Sequence, residues 1–176
     1  MSLRIEVLER RHRSLLKGFH NQQPSLVEYV QRFALRHAER DLLARTFLAI
    51  DEPDGAQRLA GFFSLAPVSV ERESVEGVGT LDRLPRFPIP GVLLARLAVD
   101  ERVQGQGLGR FLFGEALGRT LGLVRSGPVT FRLLVTDALD AEAARFYEHF
   151  GLVRLGEQYP CRMVLDLHPL LARSQM

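Results

Sequence analysis

Apolar and polar positions along this chain follow two rhythms, one of strands and one of helices. Short apolar runs at 3–8, 46–50, 59–65, 92–99, 129–135, 153–155 and 162–167 have the length and branched or aromatic content of strands. Residues 68–76 extend the third of these or pair with it. Pro24 and Ser25 open a helix over 25–41, where Leu26, Tyr29, Val30, Phe33 and Leu35 recur near helical spacing. An arginine-rich stretch at 10–17 reads as a shorter helix before it. Beyond residue 107, Leu108, Phe111, Leu112, Ala116 and Leu117 give a further helix its inner face. Gly114 and Gly118 weaken that helix by about 1 kcal/mol each relative to Ala, which predicts a close backbone neighbour on their side. A short helix over 140–150 ends at Gly151, a residue suited to a left-handed cap. Residues 51–55 form a turn, and Pro85, Pro88 and Pro90 exclude helix from 84–90. The order β-α-α-β-β-β-α-β-α-β-β predicts an α/β or α+β sheet with helices on both faces.

Composition narrows the class. At 176 residues, 46% hydrophobic and 25% charged, the chain reads as one domain over 1–176 with a short tail. A domain of this size buries roughly 70% of its unfolded surface and needs no metal or disulfide staple. Cys161 is the only cysteine, so no internal disulfide forms, and a reducing cytoplasm fits. The N-terminal run Met-Ser-Leu-Arg-Ile-Glu lacks a signal-peptide core, and no stretch approaches a membrane span. Net charge is +2 with a pI near 9.1, which permits contact with nucleic acid without demanding it.

Residues 92–110 carry the strongest functional signal. An apolar strand ends in a turn holding Gly105, Gly107 and Gly109, and a helix follows at once. The first N–H groups of a helix lack internal partners and sit at the positive end of its dipole. A loop with little side-chain bulk lets a phosphate reach them. A P-loop is excluded, because Arg110 and Phe111 stand where it needs Lys and Ser or Thr. A dinucleotide fingerprint fits poorly, since Thr130, Phe131 and Arg132 occupy the region where its acidic residue belongs.

The third pattern fits. Gln104-x-x-Gly107-x-Gly109, directly after a strand ending Leu97-Ala98-Val99-Asp100, resembles the acetyl-CoA loop of the GCN5-related N-acetyltransferase (GNAT) family. The resemblance implies a mixed, mostly antiparallel sheet, splayed between the strands ending near Val99 and Val135. It implies acetyl-CoA as co-substrate and no metal. The pyrophosphate would lie on Gln104, Gly105, Gln106, Gly107, Leu108, Gly109 and Arg110. The pantetheine arm would pair with the strand at Leu97, Ala98 and Val99, as an added strand pairs with a sheet edge. The run Ala-Arg-Phe-Tyr-Glu-His-Phe-Gly at 144–151 is similar to a family helix whose tyrosine lies near the CoA sulfur. That implies Tyr147 as proton donor to the leaving thiolate, a role open to a phenol of pKa about 10. Read from the residues alone, Ala143, Tyr147 and Phe150 share a helical face and serve equally well as core.

A longer succession, at 44–47, 61–66, 84–90 and 93–100, resembles the acetyltransferase toxins of bacterial toxin–antitoxin pairs. This implies acetylation of the amino acid on charged tRNA, inhibition by a small ribbon-helix-helix antitoxin, and a homodimer. Leu167, Leu170 and Leu171 would supply dimer contact surface or a packed tail. Where that subgroup carries Phe-x-Cys-Gly, this chain has Phe19-His20-Asn21-Gln22. Arg32, Arg36 and Arg40, spaced i, i+4, i+8, stack along one helix face as candidate phosphate contacts. A plain ion pair between Glu28 and Arg32 is the alternative. Arg10, Arg11 and Arg13 add a second basic cluster. Arg96 interrupts an apolar strand and should face a substrate crevice or a buried carboxylate. Arg96, Arg32 and Arg36 are thus the substrate candidates. An α-amine with pKa near 7.7–8.0 is partly free at neutral pH and needs only an ordered water as base. Acetylation of a small amine or protein N-terminus, or CoA binding without turnover in a regulatory module, remain alternatives.

Overall fold

The computed structural model describes residues 3–173; Met1 and Ser2, which begin the N-terminal run, lie outside it. Its strands are β1 (Arg4–Val7), β2 (Arg45–Asp51), β3 (Arg58–Val70), β4 (Ile89–Val99), β5 (Leu133–Ala138), β6 (Val153–Arg154) and β7 (Cys161–Asp166). They are ordered β1-β2-β3-β4-β5-β7-β6. The β1–β2, β2–β3, β5–β7 and β6–β7 pairs are antiparallel, and β4–β5 is parallel. The mixed, mostly antiparallel sheet that the family resemblance implies is therefore the one observed. The helices are α1 (Arg13–Leu16), α2 (Pro24–Glu28), α3 (Ala34–Glu39), α4 (Leu108–Ser126), α5 (Ala141–Glu148) and α6 (His168–Arg173). Of these, α6 has no counterpart in the pattern read from sequence. The chain forms two units, one of residues up to Ala66 with Ala95–Ala116, the other of Pro67–Leu94 with Leu117 onward.

In the first unit, β2 pairs with β1 from Arg4↔Ile50 to Val7↔Phe47 and with β3 through a bulge at Ala49/Ile50. Leu48, Ile50, Leu59 and Phe62 from these strands meet Leu16, Phe19, Tyr29, Val30 and Ala34 in one buried cluster. The helical segment from Pro24 departs from a plain α-helix. Between α2 and α3, Tyr29–Phe33 forms a π-turn, with the Ala34 N–H reaching back five residues to the Tyr29 carbonyl. The extra residue swings Phe33 outward to 38% exposure and carries Ala34 into the core, so the predicted inner face is corrected at that point. Gly61 is where backbones come close. A Cβ there would meet the Ala98 carbonyl oxygen and Leu112 Cδ1, both at 2.8 Å.

Two expectations for α4 are also corrected. Phe111 is exposed and Phe113 fully buried, because the helix's inner stripe runs through Leu108, Leu112, Phe113 and Ala116. Cβ atoms added at Gly114 and Gly118 would meet nothing within 4 Å, so these glycines mark no close neighbour.

In the second unit, β5 starts at Leu133, later than predicted, and Val129 is exposed. β5 pairs with β4 from Gly91↔Leu133 to Leu94↔Thr136 and with β7 from Leu133↔Asp166 to Ala138↔Cys161. β3 runs unbroken to Val70, after which 72–75 turn as a 3₁₀ helix. The buried Arg72 guanidinium donates to the Asp82 carbonyl at 2.6 Å, pinning the segment before the prolines. Val70, Val75, Leu81, Ile89, Leu133, Val135 and Val164 form the core on one sheet face. Helix α5 packs on β5 and β7. Asp140 caps it by accepting from Ala143 N–H at 2.8 Å, and Gly151 ends it at φ +89°.

Candidate active site

The glycine loop lies wholly in the first unit. Gly105 and Gly107 adopt φ of +76° and +79°, a region that disfavours side chains, whereas Gly109 already lies inside α4. The Gly107 carbonyl accepts from Phe111 N–H at 3.1 Å and so starts the helix. The N–H groups of Leu108, Gly109 and Arg110 then belong to the first helical turn, where an anion is favoured. A Cβ at Gly105 or Gly107 would meet only open space within 4 Å. Gln104, Gln106 and Arg110 are exposed, while the Leu108 side chain turns into the core. Open room in front of these helix-starting amides suits the diphosphate of acetyl-CoA, and these residues fit it.

The strand feeding the loop is oriented by its bonding toward β3. Asp100 N–H donates to the Ala60 carbonyl at 2.8 Å, toward β3. Backbone groups alternate along a strand, so the N–H and C=O of Leu97 and Val99 point away from β3, while the Ala98 side chain is buried in the core. The Val99 carbonyl already accepts from Asn21 Nδ2 at 2.9 Å and Gln104 Nε2 at 3.3 Å. Both its lone pairs are engaged, and Val99 offers a ligand its N–H.

Asp100 is a site residue that sequence reasoning passed over. Its fully buried carboxylate accepts from His20 N–H and Arg102 N–H, both at 3.0 Å, and from Arg102 Nε at 2.7 Å. Arg102 Nη2 donates onward to the Gly18 carbonyl at 2.6 Å. Burial alone would raise the Asp100 pKa. The Arg102 guanidinium and the two backbone N–H groups outweigh burial and hold it below the usual carboxylate range. The segment Phe19-His20-Asn21-Gln22 thus supports the end of β4. Its sequence signal was an acid closing an apolar strand with an arginine two residues on.

Tyr147 lies in the second unit, on α5, with 8% exposure. Its ring meets Phe146 edge-on, with centroids 5.2 Å apart. Burial raises its pKa, and a hydrogen bond with the Thr136 side chain offsets this in part. A phenol in such surroundings keeps its proton, which suits an acid and not a base.

Of the arginines, Arg96 is exposed. Its guanidinium carbon stands 5.1 Å from the Tyr29 ring centroid, and Nη1 donates to the Ala95 carbonyl at 2.6 Å. It stacks on an aromatic face, not on a buried carboxylate. Arg32 pairs with Glu28 at 3.4 Å and Arg36 with Asp41 at 2.8 Å. The structure also gathers most of the two basic clusters that lie apart in sequence, although Arg11 pairs instead with Glu6 and Glu9. Arg10, Arg13, Lys17, Arg32, Arg36 and Arg40 line one groove of about 540 Å³ between α1 and α3, together with Glu39, which pairs with Arg10 at 2.7 Å. Among the described residues, no group of three or more His, Cys, Asp or Glu is placed to hold a metal, and no helix is long and apolar enough to cross a membrane.

Comparison with known proteins decides the family. Residues 44–153 match the acetyltransferase (GNAT) domain. This chain belongs to the GNAT family. It is accordingly an acetyl-CoA-dependent N-acetyltransferase. A relative described as a tRNA-acetylating toxin, from Mycobacterium tuberculosis (strain ATCC 25618 / H37Rv), is 37% identical over 134 residues, covering 76% of this chain and 75% of its own. Among solved structures, a Tyr-to-Phe mutant of KacT superposes with a TM-score of 0.86 at 22% identity, covering 98% of this chain and 99% of that one. AtaT complexed with acetyl-methionyl-tRNAfMet gives 0.83 at 22% identity, with the same coverage. AtaTR bound with AcCoA gives 0.75 at 22% identity, covering 98% of each. These last three show a shared GNAT fold.

Proposed function

We propose that this enzyme acetylates the α-amine of the amino acid carried by charged tRNA, and that a small ribbon-helix-helix antitoxin holds it in check. The groove carrying Arg13, Lys17, Arg32, Arg36 and Arg40 is the observation that carries the tRNA reading, because it concentrates phosphate-binding charge on a chain of net charge only +2. The likeness to the tRNA-acetylating toxin points the same way. Charged tRNA is a cytoplasmic substrate, and the reaction is assigned to that compartment.

In this reading acetyl-CoA supplies an acetyl group activated as a thioester. The amides of Gln104 through Arg110 hold the diphosphate, and the outward backbone of Leu97 with the Val99 N–H holds the pantetheine arm. Arg32 and Arg36 join the groove's other cations in holding tRNA phosphates, and Arg96, kept in place by Tyr29, meets the acceptor end. Tyr147 gives its hydroxyl proton to the departing sulfur. The acceptor amine titrates near neutrality, so no strong base is required. Mass spectrometry of a charged-tRNA pool incubated with enzyme and acetyl-CoA should find acetylated aminoacyl groups. Acetylation confined to free amines or protein N-termini would refute the acceptor assignment.

A further inference from the structure

Thr136 is nearly fully buried on β5, and its hydroxyl is not among the groups assigned to acetyl-CoA or tRNA. It donates to the Leu94 carbonyl at 3.0 Å, across the parallel β4–β5 pair in which Leu94 and Thr136 are register partners. The same side chain hydrogen-bonds Tyr147. A threonine has one O–H proton, so while it is committed to Leu94 its oxygen can only accept, and the Tyr147 O–H is the donor. The phenol proton is thereby held in one direction before reaction. A strand position pointing toward α5 commonly carries an apolar residue, as Leu134 and Ala138 do on the same face of β5. A buried hydroxyl there requires partners, and it has two.

We infer that Thr136 is a positioning residue for proton transfer by Tyr147, accepting from the phenol at rest and donating to the phenolate once the proton has left. The inference rests on Tyr147 being the acid. In the transfer the Tyr147 O–H bond breaks and an S–H bond forms on the departing CoA sulfur, leaving a phenolate. In a buried setting a phenolate lacking a donor is costly, and the Thr136 hydroxyl, by turning from the Leu94 carbonyl, supplies one. The proton that the attacking amine loses on becoming an amide restores the phenol, so no proton is gained or lost overall. Leu94 anchors the device, because its carbonyl lies on a paired strand and fixes where the threonine rests.

The chain suits a direct test. It contains three tyrosines, Tyr29, Tyr147 and Tyr159, and no tryptophan, so tyrosinate absorbance is readable against a clean background. Subtracting the titration of Tyr147→Phe from that of the wild type isolates the Tyr147 transition. Thr136→Val keeps the shape and removes the hydroxyl, and Thr136→Ser restores it. The expected result for Thr136→Val is a Tyr147 transition displaced to higher pH, with kcat about tenfold lower and KM for acetyl-CoA unchanged, since a hydrogen bond to a charged group is worth about that much. Thr136→Ser should recover both. An unmoved transition in Thr136→Val overturns the inference, as does a kcat loss that serine fails to rescue. Full activity in Tyr147→Phe would instead overturn the reading beneath it, and the two failures are distinguishable.

Discussion

Two single residues bear sharply different consequences. Tyr147→Phe should lower kcat by about 10²–10⁴-fold while calorimetry finds acetyl-CoA affinity unchanged, because in the proposed reaction the phenol acts on the leaving group and not on the diphosphate. Burial keeps this phenol protonated beyond its ordinary range, so kcat should show no loss from its ionisation below about pH 10. Asp100 works through stability. Its folded-state pKa lies below that of the unfolded chain, so its contribution is complete above about pH 4 and drains away as pH falls further. Asp100→Ala leaves the His20 N–H and the Arg102 groups without their acceptor and should cost about 1–3 kcal/mol at neutral pH. Thermal unfolding across pH should show that deficit shrinking in acid, where the wild type has lost the same carboxylate. Tyr147 is legible in the sequence because a Phe-Tyr and Phe-Gly pairing marks its helix. Thr136 is not, since nothing in a strand's alternation reveals which hydroxyl will find a phenol.

At the scale of elements, periodicity serves well wherever one rhythm runs undisturbed. Each strand shows in the apolar pattern, and the glycine-rich turn into α4 is recognisable from residue types alone. The misplacements have physical causes. A π-turn inserts one residue, so a search tuned to 3.6 residues per turn assigns Phe33 to the core in place of Ala34. The register can be checked by unfolding measurements. Ala34→Leu should overpack the core and destabilise by about 1–3 kcal/mol, whereas Phe33→Ser, at a ring 38% exposed beside His37, should cost less than Ala34→Leu. Glycines mislead in a related way. Gly114 and Gly118 stand in open space, whereas Gly61, inside an ordinary-looking strand, is pressed against Ala98 and Leu112. Gly107→Ala should raise the Kd for acetyl-CoA by about 5–30-fold. The added methyl meets no atom, but φ near +79° strains any other residue by about 1–2 kcal/mol, and the loop relaxes away from its binding shape.

Viewed as a whole molecule, the chain is nearly neutral, and its attraction for a polyanion depends on where the cations stand. The two basic clusters are separate in sequence because α1 and α3 are, and only tertiary packing makes a groove of them. Replacing Arg13, Lys17 and Arg40 together with glutamine should weaken tRNA binding and leave acetyl-CoA binding intact. The salt slope of tRNA binding should fall by about one for each phosphate that the variant no longer neutralises. The Asp100 web carries a separate consequence. It joins His20 to a partner eighty positions away, and Asn21 to the Val99 carbonyl across nearly the same gap. During synthesis, the early segment leaves the ribosome long before β4 exists to receive it. The proposed acetyl-CoA site is therefore completed late in assembly, only after the chain has doubled back on itself. Nascent chains halted before residue 100 should fail to retain acetyl-CoA, however well their first strands have paired.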